Sequence, residues 1–382
     1  MAPKGKKQAH QDAKLIKHGI RQVGWNRDNF ISNGLWTKSH SRKRAVGRFL
    51  VSMRTKFFNF LVVCTLLILN GCGGGGGGSS GSSSTYTASP SVFINSSTVG
   101  ITLGYLRQMV FDGTYLYVSS SLDAAQSTSL GGAIYKFNTS GALISTVSSS
   151  IKWPFSVAVS GSSVFTVATD TAGAGSTGLI NVTSSTTPVV TALSSPYGVG
   201  IDSTNSRVFI TDVGSGTYAD GVVIYNIGSY TSVLASVTVG SKPSGLAYDS
   251  SLGYMFVTRY SGGTAGVWKI SATSPYTPSA FATSSLFNNP IGIAVRSSYK
   301  EVYVANTGTT AGDTDSSILK ITYDSSGNAT AVTTFLSGTS TSSMLCAPVG
   351  LAINGNVLYI SNGTCTTNSA YAKSVIKVTL DV

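Results

Sequence analysis

From about Pro90 onward, short β-branched and aromatic runs alternate with clusters of Gly, Ser, Asn and Asp. Apolar residues do not recur at helical spacing, so the pattern predicts antiparallel strands joined by tight turns. One phrase returns through this region. Pro196-Tyr-Gly-Val-Gly-Ile-Asp202 recurs as Pro243-Ser-Gly-Leu-Ala-Tyr-Asp249, Pro290-Ile-Gly-Ile-Ala-Val-Arg296 and Pro348-Val-Gly-Leu-Ala-Ile-Asn354. Looser copies are Pro154-Phe-Ser-Val-Ala-Val-Ser160 and Leu106-Arg-Gln-Met-Val-Phe-Asp112. A recurrence of about 40–50 residues built from short strands marks a radial array of small sheets. The expected fold is all-β, a six-bladed β-propeller.

Each repeat divides alike. In the fifth, Ile291–Val295 is small and apolar, fit for an inner strand crowded near an axis. Glu301–Ala305 alternates as a second strand should, Ser317–Thr322 is a third, and Ala331–Phe335 an outer fourth. Blades are expected near residues 106–153, 154–195, 196–242, 243–289, 290–347 and 348–382. The last repeat offers only three strands. Ser91-Val-Phe-Ile94 has no blade of its own, so residues 90–97 are expected to complete the last blade and remove an exposed sheet edge.

The formal charge of +12 suggests an anionic partner until it is located. Residues 1–52 hold 12 Lys+Arg against 2 Asp, and all three histidines. From Cys72 onward, 12 Lys+Arg face 12 Asp+Glu, so the propeller region is neutral and a nucleic-acid partner is not expected. Met53-Arg-Thr-Lys56 followed by the apolar run Phe57–Leu69 predicts a secretory signal peptide over residues 53–71. Since such a signal begins at an initiator, residues 1–52 are expected to be a basic extension from an over-long start assignment. Residues 72–88, rich in Gly and Ser, read as a flexible tether, leaving 89–382 for the propeller. Beyond Cys64 and Cys72 only Cys346 and Cys365 remain, an even pair that in an exported domain predicts a disulfide.

Two resemblances add to this. Leu69-Asn-Gly-Cys72 resembles the lipobox of bacterial lipoproteins, which implies that Cys72 becomes a lipidated N-terminus. Gly73, where Asp would signal inner-membrane retention in that class, implies a place on the outer membrane of a cell that has one. The phrase Val302-Tyr-Val-Ala-Asn-Thr-Gly308 with Ile318-Leu-Lys-Ile321, together with the Pro-x-Gly-Ile/Leu-Ala first strand, resembles the NHL-repeat propellers, relatives of YVTN-type and SMP-30-type propellers. The resemblance implies a six-bladed platform used mostly for binding, with some lactonases and lyases among its relatives. The chain departs from NHL repeats in lacking Asn-x-Arg after the Gly.

One position per blade follows the second strand and is expected to line the loop face near the axis: Ser120, Asp170, Asp212, Arg259, Asn306 and Asn362. Convergent polar groups at a barrel mouth suit a ligand, and the Asp and Asn oxygens would suit Ca²⁺. The bland alternative is that these groups cap strand ends and bond loop amides. Asp112, Asp202 and Asp249 read as turn formers. Trp153 and Trp268 read as packing residues rather than sugar platforms.

The side-chain inventory argues against ordinary catalysis. No His lies beyond residue 52 and the sole Glu is Glu301, so a Ser-His triad or His-metal site has no members in the exported domain. The expected function is a lipid-anchored platform on the cell envelope for a protein, peptide or glycan. The alternatives are a metal-dependent lactonase or lyase, and a purely structural surface protein.

Overall fold

The computed structural model describes residues 88–121, 131–169, 177–214, 216–260, 265–309, 314–338, 343–364 and 369–381. Cys72, Asp170 and Cys365 lie outside the described residues, as does the signal segment. The described strands form five four-stranded sheets and one three-stranded sheet, all antiparallel. The protein is a six-bladed propeller.

The recurring phrase forms the inner strand of every blade: Tyr105–Phe111, Pro154–Ser160, Pro196–Asp202, Pro243–Asp249, Pro290–Arg296 and Pro348–Asn354. The fifth blade continues through Glu301–Asn306, Ser317–Tyr323 and Ala329–Ser337. In the sixth, Pro348–Asn354, Val357–Asn362 and Val375–Thr379 are followed outward by Ser91–Ile94, with Ser91 opposite Lys377 and Val92 opposite Ile376. The second blade is thinner. Its third strand, Gly178–Asn181, meets only an isolated bridge from Leu179 to Val190, because Ser184–Pro188 supplies turn formers where other blades have a strand.

One element the strand pattern does not predict is a helical turn at Ser96–Val99. Asn95 accepts from the Thr98 amide while Thr98 accepts from the Asn95 amide, and Gly100 ends the turn at φ 69°. That reciprocal capping stabilises a turn too short to show periodicity.

Apolar side chains fill the spaces between neighbouring sheets. Phe165, Val167 and Leu179 of the second blade meet Val199, Val208, Ile210 and Val223 of the third. Phe256 and Val267 of the fourth meet Val302, Val304, Leu319 and Ile321 of the fifth.

At the inner rim the blades are joined by hydroxyl groups. Gly198 N–H donates to Thr211 Oγ1 (2.7 Å), which donates to Ser244 O of the next blade (2.9 Å). Gly245 N–H donates to Thr258 Oγ1 (2.8 Å), which donates to Ile291 O (2.7 Å). Gly350 N–H donates to Ser361 Oγ (2.8 Å), which donates to Arg107 O of the first blade (2.6 Å). The other junctions vary the device. Ser119 Oγ reaches Phe155 O at 3.3 Å, Thr169 Oγ1 reaches Pro196 O at 3.3 Å, and Thr307 Oγ1 reaches Pro348 O at 2.9 Å. Glycine is required beside these bridges: a Cβ on Gly198 would lie 2.0 Å from Ser244 O, and one on Gly292 would lie 2.4 Å from Val349 O.

Asp249 links two blades on the opposite face. Its carboxylate accepts from Ser251 N–H (2.9 Å) and from the Tyr323 hydroxyl of the next blade (2.5 Å). Burial pushes this carboxyl up, but the donors Ser251, Tyr323 and Ser297 together outweigh burial and hold it below the ordinary carboxylate value.

Two outcomes are expected. Thr258→Val keeps the shape but leaves the Gly245 amide and the Ile291 carbonyl without their shared partner; it should cost about 1–3 kcal/mol in urea unfolding, with the fold retained by circular dichroism. Asp249 has a depressed carboxyl, so its contribution is present above the unfolded value of about 3.9 and is lost as pH falls through the lower folded value. Wild type should therefore exceed Asp249→Asn in stability at pH 5–7, and the gap should close below about pH 4, read from unfolding midpoints across pH.

Candidate binding site at the loop face

Register defines an equivalent position at the end of each second strand, opposite the first residue of the phrase. It is Ser120 opposite Leu106, Ala168 opposite Pro154, Asp212 opposite Pro196, Arg259 opposite Pro243, Asn306 opposite Pro290, and Asn362 opposite Pro348. In the second blade Ala168 holds the place, and Asp170 follows it outside the described residues.

All five described members of the predicted set are buried, and four are bonded to the connection that leads into their own blade. Asp212 accepts from the amides of Ser194 (3.0 Å) and Ser195 (2.6 Å). Asn306 accepts from Asn288 N–H (3.1 Å) and donates to Leu286 O (2.8 Å). Asn362 accepts from Cys346 N–H (3.1 Å) and donates to Met344 O (2.8 Å). Arg259 donates to Ser241 Oγ (2.7 Å) and lies over the Trp268 ring. Ser194, Ser241, Asn288 and Cys346 each stand two residues before the phrase proline, so the four side chains hold the turn leading into the inner strand.

That turn needs holding. Trp153, Lys242, Asn289 and Ala347, each immediately before a phrase proline, sit at φ 47°, 54°, 51° and 46°. A left-handed residue before proline is disfavoured, and side-chain hydrogen bonds to the neighbouring amide offset the cost.

A different set of side chains stands at the same end of the inner strands. The second residue of each phrase is Arg107, Phe155, Tyr197, Ser244, Ile291 and Val349. Three of these form a stack. The Arg107 guanidinium lies 5.5 Å from the Trp153 ring centre and 5.4 Å from that of Phe155. Phe155 stacks on Tyr197 at 4.4 Å, and Trp153 meets Phe155 edge-on at 5.4 Å. Arg107 is positioned at both ends: its carbonyl accepts from Ser361, and its Nε–H donates to Ser121 Oγ at 3.1 Å. Burial pulls the Arg107 guanidinium down from its usual value, with Tyr197 and Tyr105 opposing weakly; burial pushes the Tyr197 hydroxyl up, with Arg107 opposing. Burial also raises Tyr260, which is coupled to Tyr197 and Asp220.

The strand pattern does not disclose this stack, because Arg107 belongs to the loosest copy of the phrase and has no equivalent cation in the others. The available signal was that the phrase varies most at its second residue.

The inner strands of all six blades surround an axial cavity of about 350 Å³, whose lining includes Val157, Val199, Leu246, Ile293 and Leu351 together with the polar Gln108. Ser203 and Ser250 lie at its far end. Glu301 is away from the axis, paired with Arg296 (3.1 Å) and Lys320 (2.5 Å) and accepting from the Tyr303 hydroxyl (2.9 Å). Asp315 accepts from Asn288 Nδ2 (2.8 Å) and Thr309 N–H (2.8 Å), which shapes its own loop. Among the described residues no three His, Cys, Asp or Glu side chains gather closely enough to hold a metal ion.

No protein-family model matches the chain, and no curated protein matches it in sequence. Solved structures do match in shape. The chain is similar to a gluconolactonase from Xanthomonas campestris, with TM-score 0.52 and 11% identity over 77% of this chain and 90% of that one. It is also similar to a protein of unknown function from Bacteroides thetaiotaomicron, with TM-score 0.50 and 12% identity over 77% and 76%. A virginiamycin B lyase from Staphylococcus aureus matches at TM-score 0.44 and 12% identity, over 77% and 99%. The shared property is the propeller fold.

The clamp geometry predicts a graded pair of variants. Asp212→Ala should cost about 1–3 kcal/mol in denaturant unfolding, because two amides lose their acceptor. Asp212→Asn should cost clearly less, since an amide oxygen serves the same turn at Asn306 and Asn362.

Proposed function

We propose that this protein is an exported, lipid-anchored propeller that binds a partner on the cell envelope through the mouth of its loop face. The observation that carries the reading is the Arg107–Trp153–Phe155–Tyr197 stack: a cation beside aromatic rings at the start of the inner strands, with no acid, histidine or thiol among the described residues in contact with it. Such a group recognises rather than transforms. Export follows from the signal segment at residues 53–71, and anchoring from Cys72 ahead of the Gly/Ser tether. The proposed location is the cell envelope, on the outer membrane where the cell has one. Cys346 is buried, its amide held by Asn362 in the turn leading into the last inner strand. A disulfide to Cys365 would tie that turn to the loop after the second strand, and closing a loop of about 20 residues stabilises by roughly 3 kcal/mol.

The gluconolactonase likeness supplies the second reading, a metal-dependent lactonase. It has less behind it here, since Glu301 is committed to Arg296 and Lys320 and the Asp212 carboxylate is occupied by the Ser194–Ser195 amides.

The test uses the full-length chain expressed in a bacterium. A labelled fatty acid should enter the protein and be lost in Cys72→Ser, and cross-linking on intact envelopes should yield a discrete partner that is absent with Tyr197→Ala. An unlabelled protein would reject the anchor, and unchanged cross-links would reject the mouth. Elemental analysis showing one tightly held divalent ion per chain would favour the lactonase reading instead.

A further inference from the structure

We infer that the loop-face mouth captures a carboxylate group on the guanidinium of Arg107, with Trp153, Phe155 and Tyr197 as the apolar frame for the rest of the ligand. The inference deepens the binding-platform reading and rests on it for the choice of face.

Arginine carries five N–H donors and cannot shed its charge by deprotonating. Arg107 is half-buried, and among the described residues only its Nε–H meets an acceptor, Ser121 Oγ at 3.1 Å. Among the described residues no carboxylate pairs with it. The other described arginines differ. Arg207 donates to the Ala272 carbonyl, Arg259 to Ser241 Oγ at 2.7 Å, and Arg296 to Glu301, the Asp381 carbonyl and Asn356. Each therefore places a terminal nitrogen on a protein oxygen, and Arg107 does not. A guanidinium taken partly out of water without a counter-charge is costly, and the cation–π contacts return only about 0.5–2 kcal/mol of that.

The position is built, not incidental. The backbone of Arg107 is pinned by the Ser361 hydroxyl across the junction between the last and first blades. Trp153 and Phe155, with ring centres 5.4 Å apart, sit together on one side of the guanidinium, and its terminal nitrogens meet no described protein oxygen. Two parallel N–H groups along a guanidinium edge match a planar carboxylate. One cation among aromatic rings suits one negative charge on an organic framework. A phosphate dianion would bring more charge than the site offsets.

Two sources share this chemistry, an aromatic acid and an acidic sugar, and the experiment separates them. The full-length protein in detergent is titrated with benzoate, glucuronate, the neutral isostere benzamide, and inorganic phosphate, reading the thermal midpoint, which rises with saturable binding to the native state. The expected result is a saturable rise with benzoate or glucuronate, at least about tenfold weaker binding of benzamide, and at least about tenfold weaker acid binding by Arg107→Gln. The stronger of the two acids identifies the source. Arg107→Lys, which keeps the charge but not the fork, should fall between. The comparison of benzoate with benzamide needs no variant, so it stands even if Arg107→Gln fails to fold.

The inference is overturned if neither acid binds, if benzamide equals benzoate, if phosphate binds in preference to both acids, or if Arg107→Gln binds as wild type does. Cross-linking separates it from the platform reading: an envelope partner retained by Arg107→Gln removes the carboxylate assignment and leaves the platform. Acid binding without any envelope partner removes the platform and leaves the carboxylate site.

Discussion

The structure depends on a hydroxyl placed between blades. At three junctions the relay is complete: a glycine amide donates to a Thr or Ser of its own blade, which donates to an inner-strand carbonyl of the next. Inner strands in a wheel converge, so their backbones come too close for ordinary side chains and too far for direct ladder bonds. A hydroxyl, donor and acceptor at once, spans that gap and satisfies groups that would otherwise be buried unpaired. The apolar clusters between sheets supply the bulk of the stabilisation, but they are not directional. The relays fix the spacing and angle at which one blade meets the next.

This constraint also explains where specificity can reside. Along the inner strand the Pro opens the strand, the Gly admits the neighbouring backbone, and the apolar residues after it line the axial cavity. At four junctions the second residue is held through its carbonyl, which leaves its side chain to vary. Arg107, Phe155 and Tyr197 occupy that place in consecutive blades, and Ser361 holds the Arg107 carbonyl as Ser119 holds that of Phe155. The framework that closes the wheel thus orients the side chains at its mouth.

The fold was legible because a repeat multiplies weak signals. The inner strands begin at the phrase prolines in five blades, and the outer strand Ala329–Ser337 encloses the run read as Ala331–Phe335. What escaped was either too short or too far apart in sequence. The turn at Ser96–Val99 rests on one capping pair. The weak edge of the second blade reflects the absence of strand formers around Ser184–Pro188, where the repeat itself suggested a regular fourth strand. For the candidate site, reading second-strand ends found a real structural class, but a polar residue at a strand end reads alike whether it meets a ligand or a loop amide. Only the partners distinguish them, and Asp212, Asn306 and Asn362 have amide partners in the turn before their own blade.

That division of labour follows from hydrogen-bond capacity. Three of the four clamps steady turns in which Lys242, Asn289 and Ala347 hold left-handed conformations next to proline, and a clamp that released its turn to take a ligand would release that strain as well. Asn362, for example, has its oxygen on Cys346 and its nitrogen shared among Met344, Tyr371 and Ser374. A recognition group needs the reverse condition, a fixed position with donors still unspent. Arg107 meets it through a carbonyl anchored across the blade junction, an Nε anchored on Ser121, and terminal nitrogens that no described protein oxygen engages.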